Sequence, residues 1–204
     1  MNVAANEPIT LSLDSKPHKI VLEFKGGGGL AQTFIRLGIV EKGKWVDQKA
    51  IELAKKADVV VVPVGFDAVM ETEHFDRTFS LPPGQNELIQ QLTKANKNII
   101  IVINSGGGVD MSPWINDVSG VLQAWYAGQE GGTALAEILF GQTNPSGRLP
   151  ATFERKAEDN PTFNNYYPAE NSNKVNYKEG VFVGYRGYEK NNVTPLFPFG
   201  FGLS

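Results

Sequence analysis

Asp58-Val59-Val60-Val61-Val62-Pro63-Val64-Gly65 is the stretch whose reading decides the fold. A continuous β-branched run of this length suits a strand covered on both faces, because a half-exposed strand would alternate apolar and polar residues. The residues before it, Val46 to Ala57 (VDQKAIELAKKA), place Val46, Ala50, Leu53, Ala54 and Ala57 on one helical face. After a loop, Pro83 to Ala95 reads as a second helix with Leu88, Ile89 and Leu92 as its apolar stripe. Asn98 to Ile103 is a second buried strand, Gly120 to Trp125 a third, and Gly131 to Phe140 a third helix ending at Gly141. Helix and buried strand alternate from about residue 44 to residue 141. This predicts an α/β fold, an α/β sandwich: a mainly parallel sheet with helices on both faces.

The flanks read differently. Ile9-Thr10-Leu11-Ser12-Leu13 and Ile20-Val21-Leu22-Glu23-Phe24 alternate with period two, and Ile35 to Ile39 does so less cleanly. The alternation predicts a short antiparallel β segment at the N-terminus. Three such strands cannot make a sandwich alone, so the segment must pack on something else or belong to a larger β module. From Asn144 to Ser204 the chain is rich in Pro, Gly, Asn and aromatics, which predicts a long irregular wrap with short strands such as Gly180 to Tyr185.

Composition narrows the chemistry. With 204 residues, 41% hydrophobic and 20% charged, the chain suits one domain with a real core. A net charge of −3 gives no electrostatic reason to expect nucleic acid or an anionic membrane as partner. No apolar run approaches the roughly 20 residues that span a bilayer. The sequence has no cysteine, which excludes thiol catalysis and zinc thiolates, and its two histidines, His18 and His74, lie far apart. No metal and no cofactor is expected. Met1 opens no legible signal peptide. The start could be a processed or engineered terminus, so the compartment stays open, with an exported bacterial protein preferred to a cytoplasmic one.

Ligands of open parallel sheets sit beyond the carboxyl ends of the strands. Three loops leave those ends: Gly65–Leu81, Asn104–Pro113 and Trp125–Glu130. The first holds Glu71, Glu73, His74, Asp76 and Arg77 within seven residues. Arg77 could neutralise one carboxylate while another, less well paired, serves as a general acid. The same residues could equally be a solvated acidic loop with an Asp76–Arg77 contact. Asn104-Ser105-Gly106-Gly107-Gly108 could cradle a phosphate on backbone amides, but it lacks the spacing of the known phosphate loops, and a tight turn explains it as well. Trp125 and Tyr126 could stack on a sugar face or belong to the core. Glu130 could simply face the positive end of the following helix.

Taken in order, these segments resemble the C-terminal α/β sandwich domain of glycoside hydrolase family 3, the β-glucosidase family. The resemblance is carried by Glu71-x-Glu73-x-x-Asp76-Arg77, Leu81-Pro82-x-Gly84-Gln85-x-Glu87-Leu88-Ile89, Asn104-Ser105-Gly106 and Trp114-Ile115. It continues through Gln123 to Gly132, Gly141-x-x-Asn144-Pro145-Ser146-Gly147-Arg148-Leu149-Pro150, Tyr177-x-Glu179 to Tyr188, and Phe197 to Ser204. It covers residues 45–204. Residues 6–42 are similar to the closing strands of the anthrax-protective-antigen-type β-sandwich that some members insert into this domain.

The resemblance implies a division at residues 1–42 and 43–204, the second unit being an incomplete α/β domain. It implies a retaining mechanism in which an N-terminal (β/α)8 barrel supplies an aspartate nucleophile and this domain lends the acid/base glutamate. That glutamate is expected to be Glu73, four residues before Arg77, with Glu71 in reserve. Glu71, Asp76, Arg77, Trp125 and Tyr126 are the expected substrate-binding residues. No barrel resembling eight βα units is present in these 204 residues. The chain is therefore expected to be a fragment, or one piece of a cleaved or split enzyme. Its expected partners are a β-glucoside or oligosaccharide and a barrel on a separate or cleaved chain. A homodimer of the complete enzyme is left open. A carbohydrate-binding or interaction module without catalysis, and a phosphate- or nucleotide-binding domain, are the alternatives.

Overall fold

A computed structural model describes residues 9–21, 23, 38–73, 77–169 and 171–203. The elements run α1 (Gln48–Ala54), β1 (Val60–Gly65), α2 (Gln85–Ala95), β2 (Ile99–Asn104), β3 (Gly120–Gln123), α3 (Gly131–Leu139) and α4 (Tyr185–Lys190), with 3-10 turns at Ile115–Asp117 and Ala157–Asp159. The strands form one parallel sheet in the order β1-β2-β3. Val60 pairs with Ile99 and Ile101 with Val121. All three strands point the same way, so their carboxyl ends, and the loops that leave them, share one edge of the sheet.

The core lies on one face. Val62, Val64, Ile99, Ile101 and Ile103 pack there with Ala54 of α1 and with Ile89 and Leu92 of α2, alongside the buried Trp114 and Phe153. Burial of this set is the dominant favourable term in the fold. Asp47 caps α1 by accepting from the Lys49 amide at 2.8 Å. Asn96, after α2, donates to the carbonyls of Ala54 and Ala57 at 2.8 and 2.7 Å, which ties the two helix ends together. On the opposite face Val102 is buried but Val61 of β1 is 41% exposed. Across β3, α3 stands over a cavity of about 530 Å³ lined by Leu122, Leu135, Ile138, Leu149, Phe197 and Phe201.

Several elements depart from the sequence reading, each for a local reason. The strand expected at Ile9–Leu13 is not formed. Residues 9–21 carry no strand, and Ile9, Leu11 and Leu13 are exposed. An amphipathic strand needs a neighbour to take its hydrogen bonds and cover its apolar side, and none of the described residues does so. Of the second expected strand, Ile20, Val21 and Glu23 are described and carry no strand, while Leu22 and Phe24 lie outside the described residues, as do residues 35–37 of the third. Leu53 is exposed rather than inward, because α1 ends at Ala54 and only its Ala50–Ile51–Ala54 side turns to the core. The expected strand at Gly180–Tyr185 is a turn that leads into α4. Gly180 and Gly184 adopt φ of 58° and 53°, which no extended run allows. The third strand stops at Gln123, two residues early, because Trp125 turns the chain with φ 54°.

The wrap is zipped to itself. Phe153 pairs antiparallel with Phe197. Leu149 donates to Phe201 at 2.9 Å and Gly200 donates back to Leu149 at 2.8 Å. Phe153 in turn meets Trp125 edge-on at 6.1 Å. The wrap is thereby joined to the loop that leaves β3.

At Gly65, the last residue of β1, φ is 138° and a Cβ would stand 2.0 Å from the Asn104 carbonyl oxygen. Gly65→Ala is expected to cost about 3 kcal/mol or more in urea denaturation. Gly180→Ala, also at positive φ but with nothing within 4 Å, is expected to cost about 1 kcal/mol. Equal losses would contradict the close approach at Gly65.

Candidate active site

The site begins with a turn. The Asp67 carboxylate accepts from the amides of Val69 and Met70 at 2.9 and 3.0 Å, and the Asp67 carbonyl accepts from the Glu71 amide at 3.0 Å. A short Asp side chain favours this conformation by bonding the backbone two and three residues ahead. Gln85 holds the base of the loop, accepting from the Gly65 amide at 2.8 Å and donating to the Gly65 carbonyl at 2.9 Å. The loop from β1 thus leaves at a set angle and delivers Glu71 toward the loops from β2 and β3.

Glu71 joins all three loops. One carboxylate oxygen, Oε1, accepts from Arg77 Nε at 2.7 Å. The other, Oε2, accepts from the Gly106 amide at 2.9 Å and from the Tyr126 hydroxyl. Arg77 spans further, donating through Nη2 to the Gly108 carbonyl at 2.9 Å and through Nη1 to the Thr78 carbonyl at 3.0 Å. Its guanidinium lies over the Phe66 ring, 4.6 Å from the centroid. The side chains of Arg77 and Glu71 are 15% and 20% exposed, so this pair is screened less than a surface ion pair. Burial pushes the Glu71 carboxyl up, but the donors Tyr126, Gly106 and Arg77 outweigh it, and the group is held below its usual value. Tyr126 is moved the other way. Burial and the adjacent Glu71 carboxylate raise its phenol to about 12.

The glycine run is explained by these contacts. A Cβ at Gly106 would stand 3.0 Å from Glu71 Oε1, one at Gly107 3.4 Å from Arg77 Nη2, and one at Gly108 3.3 Å from the Phe153 ring. The loop is bare because two charged side chains and an aromatic ring lie against it. A phosphate could not take the Gly106 amide without displacing Glu71, and the next element is a 3-10 turn, not a helix N-terminus. Beneath the loop, buried Ser105 donates to the Gly107 carbonyl at 2.7 Å, and Gln123 donates to the Ser105 carbonyl at 2.9 Å.

The other expected residues fall as follows. Glu73 is exposed, and among the described residues no hydrogen bond or ion pair holds it. His74 and Asp76 lie outside the described residues. Trp125 is half-buried and packs on Phe153, while Tyr126, its neighbour, is 53% exposed and reaches Glu71. The αL conformation at Trp125 turns the strand end into this loop. Glu130 stands at the start of α3 and accepts from Thr133 at 3.0 Å. Among the described residues no group of three or more His, Asp or Glu side chains could hold a metal ion. Sequence reasoning missed the clamp of Gln85 on Gly65 and the role of Tyr126 as a donor. The run Gly106–Gly108 was the one available signal for a close approach.

The parallel sheet thus carries an acidic loop, a glycine loop and an aromatic loop together at its carboxyl edge. The chain belongs to glycosyl hydrolase family 3, whose C-terminal domain matches residues 6–185. The thermostable β-glucosidase B of Acetivibrio thermocellus is 44% identical over 185 residues, covering 88% of this chain and 24% of that protein. Among solved structures, the β-glucosidase of Kluyveromyces marxianus in complex with glucose is 43% identical with a TM-score of 0.73, covering 77% of this chain and 19% of that one. The family 3 β-glucosidase of Bifidobacterium adolescentis is 42% identical with a TM-score of 0.71, covering 76% and 23%. The chain spans about a quarter of the length of the curated relatives it matches.

Because the folded-state value of Glu71 is depressed, its contribution to stability is present above its unfolded value of about 4.3 and is lost as pH falls through the folded value. Glu71→Gln is expected to lower stability by about 1.5–3 kcal/mol at pH 7, the range for hydrogen bonds to a charged group. The gap between variant and parent should shrink as pH drops below 4. Parallel stability curves from pH 7 to pH 3 would contradict the assignment.

Proposed function

We propose that the chain is the acid/base-bearing part of a retaining β-glucosidase, with Glu73 as the proton donor. The observation that carries this reading is the contrast between the two glutamates of one loop. Glu71 is ringed by donors and held ionised, so it is a poor general acid. Glu73, two residues on, is exposed and open to a substrate. Closure of a sugar and a second domain over the loop would exclude water and bring Glu73 to the leaving oxygen.

In this reading an aspartate on a (β/α)8 barrel attacks the anomeric carbon of a β-glucoside. The bond to the leaving oxygen breaks as Glu73 gives that oxygen its proton. In the second step the Glu73 carboxylate takes a proton from water, whose oxygen attacks the anomeric carbon as the bond to the aspartate breaks, freeing the aspartate and releasing glucose with its configuration retained. The two carboxyls would stand about 5 Å apart. The substrate is a β-glucoside or oligosaccharide, in keeping with the names of the relatives. Tyr126 rims the site, whereas Arg77 is engaged by Glu71, Thr78 and Gly108 and serves the loop.

In this reading residues 43–204 are the α/β domain and residues 1–42 derive from an inserted module. The exposed Val59 and Val61 beside β1 support packing of a further segment of the complete protein there.

The test is an assay of the complete enzyme, or of this chain with its barrel supplied. Glu73→Gln is expected to lower kcat/KM on an alkyl β-glucoside by about 10²- to 10⁴-fold. With Glu73→Ala, azide and an activated aryl glucoside should yield β-glucosyl azide, because a small anion needs no general base. Unchanged turnover in Glu73→Gln would sink the assignment. Sugar binding without turnover in the complete protein would favour a binding module.

A further inference from the structure

We propose that Glu71 and Tyr126 are positioning residues that fix the place of Glu73 by riveting its loop to the loops leaving β2 and β3. The inference rests on the reading of Glu73 as acid/base and goes beyond it. It assigns a role in the proton-transfer step to two side chains that the sequence left as substrate contacts.

The geometry carries the argument. Glu73 sits in the loop that leaves β1, and among the described residues no hydrogen bond or ion pair holds it. The same loop is anchored two residues earlier, where Glu71 accepts from the Gly106 amide and the Tyr126 hydroxyl, and four residues later, where Arg77 donates to Glu71 and to the Gly108 carbonyl. Both anchors grip the same neighbouring loop, and Tyr126 adds the third. The acid/base glutamate therefore follows one fixed residue by two positions and precedes the other by four. Tyr126 occupies its place because Trp125 takes up an αL conformation with its ring against Phe153. The glycines at 106 and 107 leave the room that the two anchors need.

General acid catalysis depends steeply on where the proton is held, and misplacement by about 1 Å lowers rates by about 10²-fold. A rivet of this kind should act most on reactions that need the proton. Glucosides whose leaving group is a strong acid's anion depart with little help. Alkyl glucosides do not depart unless the oxygen is protonated. The rivet's signature is therefore selective loss on poor leaving groups.

The experiment uses the complete enzyme, with Tyr126→Phe and Glu71→Gln measured beside Glu73→Gln. For each, kcat and KM are determined on 2,4-dinitrophenyl β-glucoside and on methyl β-glucoside, with thermal unfolding as a check of folding. Tyr126→Phe keeps the ring and removes only the donor. It is expected to lower kcat/KM, which reports the leaving-group step, by about 10-fold or more on the methyl glucoside, with less than a 3-fold change in kcat/KM on the dinitrophenyl substrate. The double variant Tyr126→Phe/Glu71→Gln should be no worse than the worse single, since both break one linkage. Equal losses of kcat/KM on the two substrates, or additive losses, would overturn the proposal while the Glu73→Gln pattern stands. If Glu73→Gln itself shows no dependence on the leaving group, the reading beneath it fails instead.

Discussion

The Glu71 carboxylate accepts from Arg77 on its own loop, from the Gly106 amide on the loop after β2 and from Tyr126 on the loop after β3. Loops that leave a sheet separately have little reason to hold one another in register, because each can relax into water alone. A partly buried carboxylate removes that freedom. It has lost water and must keep its donors, so displacing any loop leaves a charged group short of a partner in a site of low dielectric. The arrangement of the candidate site follows from this one acceptor.

Parallel topology makes the junction possible. The register puts the carboxyl ends of β1, β2 and β3 side by side, so three loops distant in sequence meet at one edge. Gly65 lets the Asn104 backbone approach closely at that edge, and Gln85 satisfies its amide and carbonyl. Gly106 to Gly108 let Glu71, Arg77 and Phe153 come against the second loop. The αL residue Trp125 sends one aromatic ring toward Phe153 and presents the next to Glu71. The structure therefore separates carboxylates that composition alone could not distinguish. Glu71 is bound up within the fold, and Glu73 remains exposed on the same loop.

The same economy of burial shapes the rest of the chain. The core is well filled where α1 and α2 meet the sheet, with Ile89, Ile99, Ile101 and Ile103 fully buried. It thins toward Val61 on the opposite face and toward the cavity between β3 and α3. The apolar side chains at Ile9, Leu11 and Leu13 find no cover among the described residues. Alternation in sequence marks a residue as ready for a sheet, but only a neighbouring strand makes it one.

The sequence by itself determined the alternation of helix and buried strand, the parallel sheet and the family. Period and composition are local properties, and runs such as Val59–Val62 and Ile99–Ile103 admit few other structures. It also brought the right three loops forward, because strand ends are legible from the strands. Tertiary structure alone decided which acidic residue is locked and which is open, that the glycine loop receives side chains rather than an anion, and that Gly180 to Tyr185 turns into a helix. The first two outcomes depend on contacts between residues 35 and 55 positions apart, such as Gly106 and Tyr126 with Glu71, and the third on positive φ at Gly180 and Gly184. No local pattern encodes a hydrogen bond whose two ends meet only after the sheet has formed.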